Sequence, residues 1–194
     1  PPRSDSSAAS DVYKRQPIHG GKSFNLVVTY HNDALEPVAG KQVSKDVVRK
    51  GFEHVNSIAK QIIEKGKDWK LWVLCDRDPV TKWVDRKVAV LGDAAHPMLQ
   101  YLAQGACMAI EDAVCLSEEV KNEKENIEQA LINYQNKRML RTARVQLHSR
   151  EIGKHVYHAD GVHALLRNQI MKSKTQDDWY NDIEWLYGRT GLDN

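Results

Sequence analysis

The sequence predicts an α/β chain, more narrowly an α+β fragment, in which short strands and longer helices share one polypeptide. Three observations predict it. Residues 24–30 (FNLVVTY) are a β-branched and aromatic run of strand length, apolar positions recur at helical spacing across residues 44–65, and a strand, a loop and a helix follow one another around Gly92. A chain of 194 residues with 41% hydrophobic content can build one ordinary domain or parts of two.

Residues 1–16 (PPRSDSSAASDVYKRQ) are half Pro, Ser and Ala and carry neither the period of 2 nor that of 3.6. They are expected to be a non-native or disordered leader, an artefact of cloning joined to a truncated reading frame. Gly20-Gly21 signals a turn, and the strand at 24–30 follows it. The apolar series Val47, Val48, Phe52, Val55, Ile58, Ile62 and Ile63 predicts one helix over 44–65, with Ser44 as cap and Gly66 as stop. Residues 69–74 read as a second strand, which Asp78-Pro79 breaks, and 87–91 (KVAVL) as a short buried one.

After residue 91 comes a loop, 92–104, and then a helix opening at about Gly105. Its expected apolar face holds Cys107, Ile110 and Val114 with Ala106, Ala109, Ala113 and Leu116. Residues 125–150 predict a longer helix with Ile127, Leu131 and Tyr134 on one side, followed by Arg138, Arg141 and Arg144. The tail 161–188 mixes apolar positions with Trp179, Tyr180, Trp185 and Tyr187, and is expected to pack as a short helix or two.

Composition narrows the function classes. A net charge of +2, from 28 basic and 26 acidic residues, gives no field that argues for nucleic acid. No window approaches the roughly 20 apolar residues of a membrane span, and no signal leader is visible, so the expectation is a soluble, cytoplasmic protein. Cys75, Cys107 and Cys115 form no CxxC pair and are expected to be buried free thiols. Among the eight histidines, His155 and His158 lack the Glu and the third ligand of a zinc helix, so no metal site is expected.

The chemistry sits around Gly92. A glycine there lets backbone approach a ligand, Asp93 offers a carboxylate to sugar-like hydroxyls, and Ala94 and Ala95 leave room beside it. Gln104-Gly105-Ala106 sets backbone N–H groups at a helix N-terminus, where negative charge is favoured. The GD pair alone also fits an ordinary turn with Asp93 as its cap.

The continuous string at 90–112, VLGDAAHPMLQYLAQGACMAIED, resembles the second flavin-binding motif of the class A flavoprotein monooxygenases, the aromatic hydroxylases. The segments at 24–31, 72–83, 141–162 and 183–188 are similar to its 3-hydroxybenzoate 6-hydroxylase branch, so the resemblance covers most of 17–190. It implies a C-terminal portion: residues 17–86 as part of the substrate-binding domain and its sheet, 87–150 as the last part of the FAD-binding domain, and 151–194 as a helical tail. It implies FAD as cofactor and NADH as co-substrate. Gly92, Asp93 and Ala94 then contact the ribityl chain, His96 and Pro97 lie against the flavin ring, and the Gly105 and Ala106 amides face flavin N1 and O2.

Gln100-Tyr101 departs from the Pro-Tyr usual in salicylate hydroxylases and points to the 3-hydroxybenzoate branch. Gln100 can hold a phenol hydroxyl or a carboxylate of the substrate, and Tyr101 either lines the same pocket or only packs. For His96 a positional role is preferred over that of a base. Arg77 and Asp78 read as a turn with a local ion pair, and the family resemblance leaves a flavin-side role as the alternative. Arg138, Arg141 and Arg144 are expected to meet carboxylates rather than a phosphate.

The implied reaction turns 3-hydroxybenzoate into 2,5-dihydroxybenzoate with O2, with a small aromatic acid as partner and an aromatic tail compatible with a homodimer. No GxGxxG follows a strand in these 194 residues, so the chain by itself is expected neither to hold FAD tightly nor to oxidise NADH. The alternatives are a salicylate hydroxylase or other flavoprotein on the same scaffold, and a non-catalytic remnant or binding module.

Overall fold

The computed structural model describes residues 12–30, 36–190 and 192, and divides the chain into two compact units, 1–74 with 154–171 and 75–153 with 172–194. In the first unit, β1 (Val12–Ile18) and β2 (Ser23–Thr29) form an antiparallel hairpin, paired from Ile18 with Ser23 out to Val12 with Thr29. The turn between them uses Gly20 and Gly21 at φ 64° and 85°, the left-handed region that glycine enters at no steric cost. Residues 12–16 of the expected leader are therefore strand. The hairpin supplies their backbone hydrogen bonds, so they extend without a hydrophobic period of their own. Residues 1–11 of that leader, and His31 at the end of the similar segment 24–31, lie outside the described residues.

The helix expected over 44–65 is two helices, α1 (Lys45–Gly51) and α2 (Ser57–Lys65), after the short strand β3 (Lys41–Gln42). Asn56 makes the break: its side chain accepts from the Ala59 amide at 2.9 Å and caps a fresh start. Ser44 stands at the cap position of α1 without a side-chain bond to it. Gly66 is the C-cap of α2, its amide donating to the Ile63 carbonyl at 2.9 Å. Its φ is −68°, and a Cβ on it would stand 2.2 Å from the Trp69 ring. Val48, Phe52, Val55, Ala59 and Ile63 form the buried cluster of this unit, with Tyr30 edge-on to Phe52.

The strand expected at 69–74 shrinks to β4 (Lys70–Leu71), antiparallel to β3. The helix α5 (Gly161–Ser173) belongs to this unit apart from Lys172 and Ser173.

In the second unit, β5 (Val84–Asp85) and β6 (Val88–Ala89) make a two-residue hairpin. The buried strand expected at 87–91 is thus a short exposed one, with Val88 68% accessible, because β5 is its sole sheet neighbour among the described residues. Two long helices dominate, α3 (Gly105–Asn122) and α4 (Ile127–Ile152), packed on each other. The tail ends in α6 (Gln176–Tyr187), opened by a capping box between Thr175 and Asp178.

The buried face of α3 is not the apolar stripe. Met108, Asp112, Cys115 and Glu119 face inward, while Cys107 is exposed and Ile110 is 64% accessible. Buried acids outrank apolar side chains here because α4 brings cations to them: Lys137 meets Glu119 at 2.7 Å, and Arg138 meets Asp112 at 2.8 Å. The cysteine expectation holds for Cys115 only, since Cys75 and Cys107 are exposed.

Candidate functional site

The loop between β6 and α3 opens at Gly92, whose φ of +57° is left-handed. A tight 3-10 turn, Gly92–Ala94, follows, and the Gly92 carbonyl accepts from the amides of Ala95 and His96, each at 2.9 Å. The Gly92 N–H donates to Asp112 Oδ2 at 3.0 Å. The same oxygen lies 2.6 Å from His96 Nε2, and Asp112 Oδ1 accepts from Arg138 Nε at 2.8 Å.

His96, Asp112 and Arg138 are all 0% exposed. Burial alone pushes the Asp112 carboxyl up. The hydrogen bonds from His96, Arg138 and the Gly92 amide outweigh it and hold the group below the usual carboxylate range. Tyr134, beside this centre, donates to the Val90 carbonyl at 3.3 Å, and its phenol is raised, first by burial and then by the Asp112 charge.

The carbonyls along the loop are held one after another. Arg77 Nη2 donates to Ala94 O and, at 2.9 Å, to Ala95 O. Gln146 Nε2 takes Pro97 O at 3.0 Å, Ser149 Oγ takes Leu99 O at 2.6 Å, and Tyr187 Oη takes Leu102 O at 2.7 Å. The loop is thus fastened from the inside by Arg77, by Gln146 and Ser149 of α4, and by Tyr187 of α6. Its outer side, with Asp93, Ala94 and Gln100, is exposed, as is Ala106 in the first turn of α3.

Asp93 lies at the opening of α3: a Cβ built on Gly105 would meet only Asp93 Oδ1, at 3.9 Å. No acidic residue stands in the first turn of α3, and Gln104 gives no side-chain cap, so the first-turn N–H groups have no intrahelical acceptor. Beside Ala94 and Val90 an open cavity of ≈ 600 Å³ is bordered by Arg77, Thr81 and Lys82.

The expected site residues therefore divide. Gly92, Asp93, Ala94, Gly105 and Ala106 sit at one strand end and one helix start. His96 is turned inward onto Asp112, and Pro97 is half-buried with its carbonyl held. Gln100 is exposed at the start of a 3-10 turn, Gln100–Leu102, and the Tyr101 ring rests on Gly153.

The local ion pair expected of Arg77 and Asp78 is replaced. Arg77 caps loop carbonyls instead, and Asp78 pairs with Arg150 at 2.6 Å, because α4 passes both. Arg138 and Arg141 meet Glu111, Arg141 in a bidentate pair at 2.8 and 2.9 Å, while Arg144 stacks 3.8 Å over Trp185. Sequence reasoning missed Asp112, Gln146 and Ser149. The signal was present as polar residues at the 138, 142, 146 and 149 positions of α4, a helical stripe where an apolar one is usual.

No protein-family model matches the chain. It is 50% identical over 173 residues to 3-hydroxybenzoate 6-hydroxylase 1 of Aquipseudomonas alcaligenes, a match spanning 89% of this chain and 44% of that protein. The 3-hydroxybenzoate 6-hydroxylase of Polaromonas naphthalenivorans is 44% identical over 172 residues, spanning 89% and 43%. Over that stretch the chain is similar to these 3-hydroxybenzoate 6-hydroxylases.

A solved salicylate hydroxylase in complex with its substrate superposes with a TM-score of 0.69 at 26% identity, over 94% of this chain and 46% of that one. HpxO of Klebsiella pneumoniae, solved with FAD and uric acid, gives a TM-score of 0.74 at 20% identity over 91% and 45%, and so shows the shared fold. The chain thus spans under half the length of these four proteins. Among the described residues no helix is long and apolar enough to cross a membrane.

Proposed function

We propose that this chain supplies the flavin-facing loop and part of the substrate-binding region of an aromatic-ring hydroxylase acting on 3-hydroxybenzoate. The observation that carries it is the juxtaposition of a left-handed Gly92, an exposed Asp93 and the uncapped start of α3, on a loop whose carbonyls are fastened from within. The fit to FAD rests on space as well as donors. Glycine at 105 leaves the approach to the first-turn amides open, and no carboxylate on α3 competes for them.

On this reading Asp93 accepts hydrogen bonds from ribityl hydroxyls, with Gly92 and Ala94 giving room, and the Gly105 and Ala106 amides donate to N1 and O2 of the ring. Pro97 borders the ring, and His96 supports the loop from behind. Bound FAD supplies the redox chemistry that takes electrons from NADH and activates dioxygen. Gln100 orients the phenol or carboxylate of the substrate, Tyr101 borders the same pocket, and the fastened loop limits water at the reacting carbon. Residues 17–86 then serve substrate binding, 87–150 flavin binding and 151–194 the tail, whose exposed Trp179, Tyr180 and Tyr187 suit a homodimer contact.

The test is a chimera in which the matched stretch of this chain replaces its counterpart in the Aquipseudomonas alcaligenes relative. The expected outcome is bound flavin and NADH oxidation stimulated by 3-hydroxybenzoate, with 2,5-dihydroxybenzoate as product. A chimera that binds flavin but hydroxylates salicylate instead would overturn the substrate assignment, and a folded chimera without flavin would overturn the site.

A further inference from the structure

We infer that Asp112 is the positioning residue of the 92–97 loop, holding His96 as the Nε2–H tautomer and the Gly92 amide on one carboxylate oxygen while Arg138 fixes the other. The consequence for ligands rests on the flavin reading above; the tautomer does not. An ionised carboxylate accepts and cannot donate, so the 2.6 Å contact to Asp112 Oδ2 requires a proton on His96 Nε2. His96 Nδ1 is buried and has no hydrogen-bond partner. A proton there would be a buried donor without an acceptor, which costs more than an unpaired lone pair. Trp83 is the ring packed nearest, 5.5 Å between centroids.

Asp112 can take this part because it is itself clamped. Arg138 reaches Oδ1 from α4 and is held in turn by Glu111 at 2.7 Å and by the Met108 carbonyl at 3.4 Å. The carboxylate therefore cannot rotate away, and two loop donors separated by four residues converge on one fixed point. Fixing Gly92 and His96 fixes the exposed Asp93 between them relative to α3, which carries Asp112 and begins at Gly105. Asparagine keeps the shape but not the function: with its oxygen toward Gly92 and His96, its amide would confront the Arg138 Nε–H, donor against donor.

The experiment is nitrogen NMR of the imidazole rings in the full chain at neutral pH, with His96 assigned by loss of its signals in His96→Gln. In the wild-type chain one neutral species protonated at Nε2 is expected, and in Asp112→Asn a mixture of tautomers. His96 protonated at Nδ1, or at both nitrogens, in the wild-type chain would overturn the inference, whatever the variant does. Should Asp112→Asn fail to fold, Arg138→Lys takes its place, with partial tautomer mixing expected and an unchanged single tautomer counting against the clamp. FAD titration of the chimera, with and without Asp112→Asn, separates the two readings. Wild-type chimera binding that falls about tenfold in the variant supports both, on the scale of one charge-assisted hydrogen bond. A fixed tautomer with no flavin binding by either folded chimera leaves the positioning role and sinks the flavin site; equal binding by both sinks the ligand consequence of Asp112.

Discussion

Arg138 donates from Nε to Asp112 Oδ1 at 2.8 Å across the α3 and α4 packing, with neither side chain reaching solvent. A pair of this kind contributes little over a well-packed apolar substitute, but breaking it from one side strands a charge. Arg138→Met is therefore expected to cost about 3–5 kcal/mol, since it leaves Asp112 buried without the cation that holds Oδ1. Arg138→Met combined with Asp112→Asn should cost less than the sum of the two single changes. Urea denaturation of the four chains measures this, and simple additivity would show that the pair is not coupled.

The pH dependence follows from the direction of the Asp112 shift. Its folded-state pKa lies below the unfolded value of about 3.9, so its stabilising contribution is complete above that value and is lost as pH falls through the folded pKa. Glu64, bound by Arg49, and Asp178, bound by Thr175, are shifted the same way, and a comparison with Asp112→Asn cancels them. The stability gap between wild type and Asp112→Asn should be constant from pH 6 to about 4.5 and close below about pH 4. A gap that stays level down to pH 2 would assign the acid sensitivity to other groups.

How much of this was legible in sequence depends on whether the determinant was local. The Gly20-Gly21 turn, the α3 start at Gly105 and the two tail helices follow from short-range signals, and the structure has them. The split of 44–65 was missed because Asn56 acts as a cap only once Phe52 leaves the helix, a choice that packing decides. The face of α3 was misread for a similar reason. Hydrophobic periodicity selects Ile110 and Val114, whereas the face that α4 covers is chosen by ion pairs whose partners lie 18 to 26 positions away. Of the candidate site, the loop and its ends were visible as a motif, but its fastening by Arg77, Gln146, Ser149 and Tyr187 was not, since each bond spans at least 17 positions.

Tyr101 offers a test of packing against the site role proposed for it. A Cβ on Gly153 would stand 2.5 Å from Tyr101 Cε2 and 2.6 Å from Cδ2, so Gly153→Ala must displace the ring. The expected cost is about 1–3 kcal/mol, typical of overpacking. Tyr101→Leu should relieve most of it, giving a favourable coupling in a double-mutant cycle on thermal denaturation. Absence of coupling would mean that the ring does not rest on Gly153.

Two glycines flank the candidate site, and they separate folding from binding. Gly92 has φ +57°, and a Cβ there would also press on Ala109 Cβ at 3.3 Å, so Gly92→Ala should cost about 1–2 kcal/mol in stability from backbone strain alone. Gly105 carries no such strain, and its Cβ would meet only Asp93 Oδ1 at 3.9 Å. Gly105→Ala is thus expected to leave urea stability level or raise it by up to about 1 kcal/mol, as alanine does in a helix. If the α3 amides receive the flavin ring, that same methyl group stands in the approach and should weaken FAD binding in the chimera while the fold holds. Unchanged affinity in Gly105→Ala would move the ring away from this helix end, whereas a fall in both stability and affinity would show that Gly105 serves the fold and says nothing for the ligand.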